Sequence, residues 1–322
     1  MGTAFQDKNF ENFPSIINTL KECKSLVTYF KQSSINSRLE KSLKQESETR
    51  WNSKLEMLES INTQFESITN LLAERNETDR IENIDLNILQ ILIDFLGKFR
   101  EASNFLEGSK YPTLHMVIPW YETLRNHCKA NISDSNVLVQ IKFVVEQKMI
   151  DKIKIENLHK IATFFDPRMK QLKILEQNDA SWVKEQIKSQ CATLLSQFDN
   201  DSDDSINTVQ ERPSKKSRKK ETVDFSQYYD SSSDEGEDDE VDLYIKSKVS
   251  KNKDLDVLQW WRDHKLEYPK LALLCAYYLA IPASSASSER EFSAAGQTIN
   301  ERRTNLNPET VDSILILHSI FQ

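Results

Sequence analysis

Apolar residues recur at three- and four-residue intervals along most of this chain, a spacing that lines one side of an α-helix. Ile16, Ile17, Leu20, Cys23, Leu26, Val27 and Phe30 define a first helix, opened by Pro14 and Ser15. Leu55, Leu58, Ile61, Phe65, Ile68, Leu71 and Leu72 predict a second, and Ile84, Ile88, Leu92, Phe95, Leu96 and Phe99 a third over 83–107. Pro112 and Thr113 open a fourth, with Leu114, Val117, Ile118, Tyr121 and Leu124 facing inward and Pro119 near a bend. Further helices are expected over 137–165 and 180–198. Runs short enough to be strands, such as Phe143-Val144-Val145, lie inside longer stretches of helical spacing, so residues 1–198 read as an all-α bundle.

The pattern then fails. Residues 199–242 are built of Asp, Glu and Ser around one basic island. So little apolar content cannot offset the entropy of ordering, and a disordered linker is expected. Within the island, Lys215, Lys216, Arg218, Lys219 and Lys220 form a short cluster of the kind that nuclear import receptors read; the other reading is a solvated linker without a role. Serines at 231–233 stand just ahead of acids, the context that acid-directed kinases prefer, and phosphorylation there would deepen the local negative field.

Helical spacing resumes in 243–322. Leu255, Leu258, Trp261 and Leu266 precede Pro269, where a helix carrying Leu271, Leu274, Cys275, Tyr278 and Leu279 begins. Asn307 and Pro308 cap and open a last helix striped by Val311, Ile314, Leu315 and Ile320. Short helices of this kind expose more apolar surface than they hide against one another, so a partner surface is expected.

Composition narrows the function classes. Five glycines in 322 residues argue against Gly-rich phosphate loops, whose turns need positive φ, and no cofactor or small-molecule substrate is expected. Cys23, Cys128, Cys191 and Cys275 form no C-x-x-C and read as buried, reduced thiols. His127 and Cys128 would need distant partners to hold zinc, so both are taken as core-lining and no metal site is assigned. No run of about 18 apolar residues predicts a membrane span. A net charge of −8 predicts weak nonspecific DNA affinity that falls with salt.

Three sets of residues, in order along the chain, carry a resemblance. Thr49-Arg50-Trp51-Asn52-Ser53 comes first, then Ile161-Ala162-Thr163-Phe164-Phe165-Asp166-Pro167-Arg168-Met169-Lys170. The last set joins Trp260-Trp261, Tyr268-Pro269-Lys270-Leu271-Ala272, the run from Ile281 through Ser287-Ser288-Glu289-Arg290-Glu291 to Gly296, Arg302-Arg303 and Leu306-Asn307-Pro308. Together they resemble the hAT superfamily of transposases and span nearly the whole chain apart from the acidic linker.

That resemblance implies a mainly α chain: a bundle similar to the family's helical insertion over 1–198, and C-terminal helices of an interrupted RNase H-like fold over 243–322. The family cuts DNA with two aspartates and a glutamate, and the glutamate would correspond to Glu289. The aspartates and a following C-x-x-H belong upstream of the T-R-W-N-S word, and the residues before Arg50 show neither a C-x-x-H nor strands. Two-metal phosphoryl transfer needs several carboxylates around ions roughly 4 Å apart, so a single glutamate does not suffice. Ser288 and Glu291 fit a helix start as cap and returning partner, which gives Glu289 a structural reading. Asp166 before Pro167 reads as a helix terminus or turn.

Arg50 and Trp51 keep two readings: a DNA contact, as the resemblance implies, or a core tryptophan with a solvated neighbour. The resemblance also assigns dimerisation to the C-terminal region, where Trp260, Trp261, Tyr268, Leu271, Tyr277, Phe292, Ile314 and Leu315 are the candidate interface residues. The competing reading is that the same aromatics complete the chain's own core, and both can hold together. The function expected is a nuclear, transposase-derived protein that dimerises with itself or a related hAT-type partner, makes weak DNA contact and has no transposition activity. The alternative is a truncated transposase whose missing part supplies DNA binding and cleavage.

Overall fold

The computed structural model describes residues 7–33, 35–47, 51–198, 239–249, 254–298 and 307–321, and every regular element among them is helical. The mainly α class is therefore observed. The basic island and most of the expected linker lie outside the described residues. The chain divides into two compact units, one of residues 1–104 with 120–154 and the other of 105–119 with 155–322. This partition differs from the expected boundary at 198, because residues 155–198 bury their apolar face against helices that follow residue 239.

The first unit follows the sequence pattern closely. Helix α1 (Pro14–Gln32) has proline in its first turn, where the missing N–H costs nothing, and buries Ile16, Leu20, Cys23, Val27 and Phe30. The second predicted helix divides into α2 (Trp51–Thr63) and α3 (Phe65–Ala73). Between them the buried Gln64 turns its amide onto Lys41, accepting from the backbone N–H at 3.1 Å and donating to the carbonyl at 2.6 Å. After the single turn α4 (Asp79–Glu82) comes α5 (Leu86–Leu106), which starts later than expected because Asp85 caps it, accepting from the N–H of Asn87 and Ile88.

Proline at 119 lies in the first turn of α6 (Val117–His127), directly after a 3₁₀ turn at Leu114–Met116. Helix α7 (Asn136–Lys152) is capped by the Ser135 hydroxyl, which accepts from the Leu138 N–H at 3.2 Å. Phe95 packs on Phe99 at 5.4 Å and on the His127 ring at 4.9 Å, and Arg100 of α5 holds Glu59 of α2 at 2.5 Å.

The second unit is assembled from short pieces. Its helices are α8 (Asn157–Phe164), α9 (Gln177–Phe198), α10 (Glu240–Lys246), α11 (Val257–Asp263), α12 (Pro269–Leu279), α13 (Ala286–Thr298) and α14 (Pro308–Phe321). Helix α8 packs against the 114–116 turn, α9 and α12; α10 and α11 also meet α12, and α13 meets α14. Asp239 caps α10 and Asp256 caps α11, each accepting backbone N–H groups that a short helix leaves free. As expected, Asn307 caps the last helix, accepting from the Glu309 N–H at 3.3 Å, and proline follows at its first position.

Candidate functional site

Residues 161–170 form the floor on which the C-terminal helices rest. Phe164 and Phe165 close α8 and are fully buried. Phe165 stacks on Tyr278 at 5.6 Å and meets Trp261 edge-on at 5.8 Å, while Phe164 meets Tyr244 at 5.2 Å. A buried Tyr or Trp needs a partner for its polar atom. Here the Tyr244 hydroxyl donates to the Phe164 carbonyl at 3.0 Å and the Trp261 indole N–H to the Phe165 carbonyl at 2.8 Å. These carbonyls are free because they stand at the end of α8.

The Asp166-Pro167-Arg168 turn behaves as expected of a helix terminus. The Asp166 carboxylate accepts from the Arg168 backbone N–H at 2.9 Å and from its guanidinium at 2.9 and 2.7 Å. Burial alone would push the Asp166 carboxyl up, but the hydrogen bonds and charge of Arg168 outweigh it and hold the group below its ordinary value. His115 approaches the same carboxylate at 3.8 Å. Burial pushes its pKa down to about 4, with Asp166 opposing and Arg168 reinforcing, so at neutral pH the ring is uncharged and the contact is not an ion pair.

This arrangement sorts the candidate interface residues. Trp261, Tyr268 and Leu271 are buried at 4%, 1% and 0% exposure in the unit's own core, and Trp260 is packed against that core, stacked on His264 at 3.9 Å. The intramolecular reading describes these four. Tyr277, Phe292 and Ile314 instead remain exposed, at 69%, 76% and 37%. Leu273, four residues before Tyr277 on the same face of α12, is exposed too, as are Ile316 and Leu317 of α14. The side chain of Leu315 lies outside the described residues. Leu273, Ile316 and Leu317 were not among the sequence candidates; the i, i+4 relation to Tyr277 was the signal available for Leu273.

Helix α13 begins at Ala286, earlier than the cap assigned to Ser288, which falls inside the first turn. Ser285 takes that place: its carbonyl accepts from the Glu289 N–H at 2.9 Å, and its hydroxyl donates to the Glu289 carboxylate at 3.0 Å. Glu289 is exposed, and among the described residues no group of three or more His, Cys, Asp and Glu side chains converges. Arg50 and the Trp51 side chain lie outside the described residues, as do Lys215, Lys216, Arg218, Lys219 and Lys220.

The thiols and His127 sit in apolar surroundings. All four cysteines are free and buried, and burial pushes Cys23 and Cys128 up to about 12 and Cys191 up to about 11. Cys128 lies 3.9 Å from the Met149 sulfur, and His127 reaches the Phe95 carbonyl at 3.1 Å. Among the described residues no helix is long and apolar enough to cross a membrane.

Comparison with known proteins places this geometry. Residues 240–321 match the model of the hAT family C-terminal dimerisation region, a stretch that begins at α10. The Hobo transposase of Drosophila melanogaster is 26% identical over 89% of this chain and 50% of its own length. A putative AC transposase of Zea mays is 24% identical over 70% of this chain and 30% of its own. The BED-type zinc finger protein DAYSLEEPER of Arabidopsis thaliana is 31% identical over 29% of this chain and 13% of its own. The chain thus spans half or less of the length of these relatives.

Proposed function

We propose that this chain, which is a transposase-like protein of the hAT family, acts through pairing of its C-terminal helices with a second copy or a related hAT-type partner. The observation that carries this reading is the contrast within the matched region. One set of aromatics is spent on the internal core, while Leu273, Tyr277, Phe292, Ile316 and Leu317 remain exposed on helices of that region. Exposed apolar side chains of this size in a dimerisation region are suited to serve as interface anchors, worth about 2 kcal/mol or more each when covered.

The pairing reading includes a nuclear location, supported by the basic cluster at 215–220 and by relatives that are transposases and a BED-type finger protein. It also includes the absence of DNA cutting by this chain. Glu289 is engaged with Ser285 at the start of α13, which supports a structural role. The exposure of that carboxylate favours a second reading, in which these residues are part of a DNA-cutting protein.

Sedimentation velocity over a concentration series tests the pairing directly. Self-association at micromolar concentration is expected, with Phe292→Asp and Tyr277→Ala each weakening it at least about tenfold, since an anchor worth about 2 kcal/mol exceeds the ~1.4 kcal/mol of a tenfold change. A chain that stays monomeric throughout ends this reading. Magnesium-dependent nicking of DNA that is lost on Glu289→Gln would replace it with the second.

A further inference from the structure

The dimerisation region is held to the rest of its unit by polar bonds that leap across residues 199–238, and those bonds converge on a few residues. Lys170 is buried at 3% exposure, and its ammonium donates at 2.5 Å to the Tyr244 carbonyl, the Ser247 carbonyl and the Ser247 hydroxyl. These oxygens stand at the C-terminal end of α10, where the helix dipole favours a cation. The same ammonium lies 5.0 Å from the centre of the Tyr244 ring. Phe164 and Phe165 offer their free carbonyls to Tyr244 and Trp261, as described above. On α9, the Gln190 side chain accepts from the Tyr278 hydroxyl at 2.9 Å, and Lys188 pairs with Asp242 at 2.6 Å and Asp239 at 3.2 Å. Further along, the Ala283 N–H donates to the Thr113 hydroxyl at 2.9 Å.

We propose that residues 164–170 are a built-in dock for residues 239–283, so that the dimerisation region is folded by the chain ahead of 199–238 and stays attached to it without the covalent connection. The Phe164 and Phe165 carbonyls and the Lys170 ammonium are each met by a polar group from the other side of the gap. Removing either side therefore strands a desolvated donor or acceptor, which costs more than the bond itself contributes. Lysine suits the centre of the dock because a compact ammonium directs protons to three oxygens in different directions, a geometry that the planar fork of arginine does not reproduce. The pairing-competent unit is then a two-piece assembly of 105–119, 155–198 and 239–321, not the C-terminal stretch alone; this consequence for pairing rests on the dimerisation reading, whereas the dock does not.

The test uses the full chain with a protease recognition sequence substituted within 203–210. After cleavage under native conditions, the two pieces are expected to elute as one species at about 1 µM, with the helical signal of the uncut chain retained. In the cut chain, Lys170→Met and Trp261→Phe are each expected to raise the dissociation constant between the pieces by about tenfold or more, and Lys170→Arg not to restore it. Phe292→Ala, on the exposed face, should change that constant less than about twofold.

Pieces that part at micromolar concentration would overturn the dock. So would cut chains in which both Lys170→Met and Trp261→Phe leave the constant within twofold. Pieces that hold together in a chain that never self-associates would sustain the dock and remove the pairing reading, so the two fail separately.

Discussion

The two units bury apolar surface by different routes. In the first, long helices present continuous stripes: Ile16 to Phe30 on α1 and Ile88 to Phe99 on α5 are single faces of single helices. In the second, the core joins side chains far apart in sequence, such as Phe165 with Trp261 and Tyr278, and backbone carbonyls at the end of α8 serve as acceptors for them. A helix with a long stripe gains much of its order locally, whereas the seven-residue α10 and α11 are too short to persist alone and depend on what they pack against. The second unit should therefore be the more vulnerable to single changes at its centre.

Trp261→Ala breaks that comparison most severely. It removes a buried indole and leaves the Phe165 carbonyl without its donor, a loss of about 3–5 kcal/mol. Amide exchange should show protection lost through α8 and α10–α12 while α1–α3 keep theirs; equal loss in both units would refute the difference in construction.

Acid is the next perturbation. The folded-state pKa of His115, about 4, lies below its ordinary 6.5, so between those values the unfolded chain binds the proton and the folded one does not. Stability is then present above pH 6.5 and is lost as pH falls toward 4, by about 3 kcal/mol for this group at 1.36 kcal/mol per unit. His159, also lowered by burial, acts in the same direction. Asp166, held below its ordinary value, adds a loss at still lower pH as it becomes protonated. Denaturant titrations from pH 7 to 4 should show the slope, and His115→Gln should remove most of it.

The caps sharpen the contrast on a smaller scale. Asp256→Ala and Ser135→Ala each delete a side chain that accepts backbone N–H groups, at a cost of about 1 kcal/mol. Equal costs to global stability should still differ locally, with α11 losing exchange protection along its whole length and α7 only in its first turn. The smallest effect has the opposite sign. Gly97 sits inside α5 with nothing within 4 Å of an added Cβ, so Gly97→Ala should stabilise the first unit by about 0.5–1 kcal/mol in a urea titration.

Much of this protein was legible from residue order. The spacing of Ile16 through Phe30, the prolines at 14 and 269, and Asn307 before Pro308 located helices and their starts, because these signals act within one or two turns of chain. Breaks were less visible. Gln64 ends α2 through a bond to Lys41, a partner distant in sequence, and Trp120 is buried although it was not assigned inward, while standing three residues after Val117 and four before Leu124. The Ser288 cap failed although Ser288 and Glu291 match the motif: α13 starts at Ala286, and Ser285, whose hydroxyl meets Glu289 four residues on, stands ahead of it.

The candidate site divided in the same way. Residue types alone marked the C-terminal aromatics as anchors, but could not tell which would be consumed internally. Trp261, Tyr268 and Leu271 went to the core and Tyr277 and Phe292 to the surface; the helical phase of α12 separates Leu271 from Tyr277, and the Phe165 carbonyl that α8 leaves open holds Trp261. Sequence determined the helical class, several helix starts and the likeness to hAT transposases, all of which depend on short-range pattern. Tertiary structure decided that residues 155–198 complete the C-terminal unit and that Lys170 reaches across to α10, because burial forces each polar group to find a partner wherever the chain supplies one.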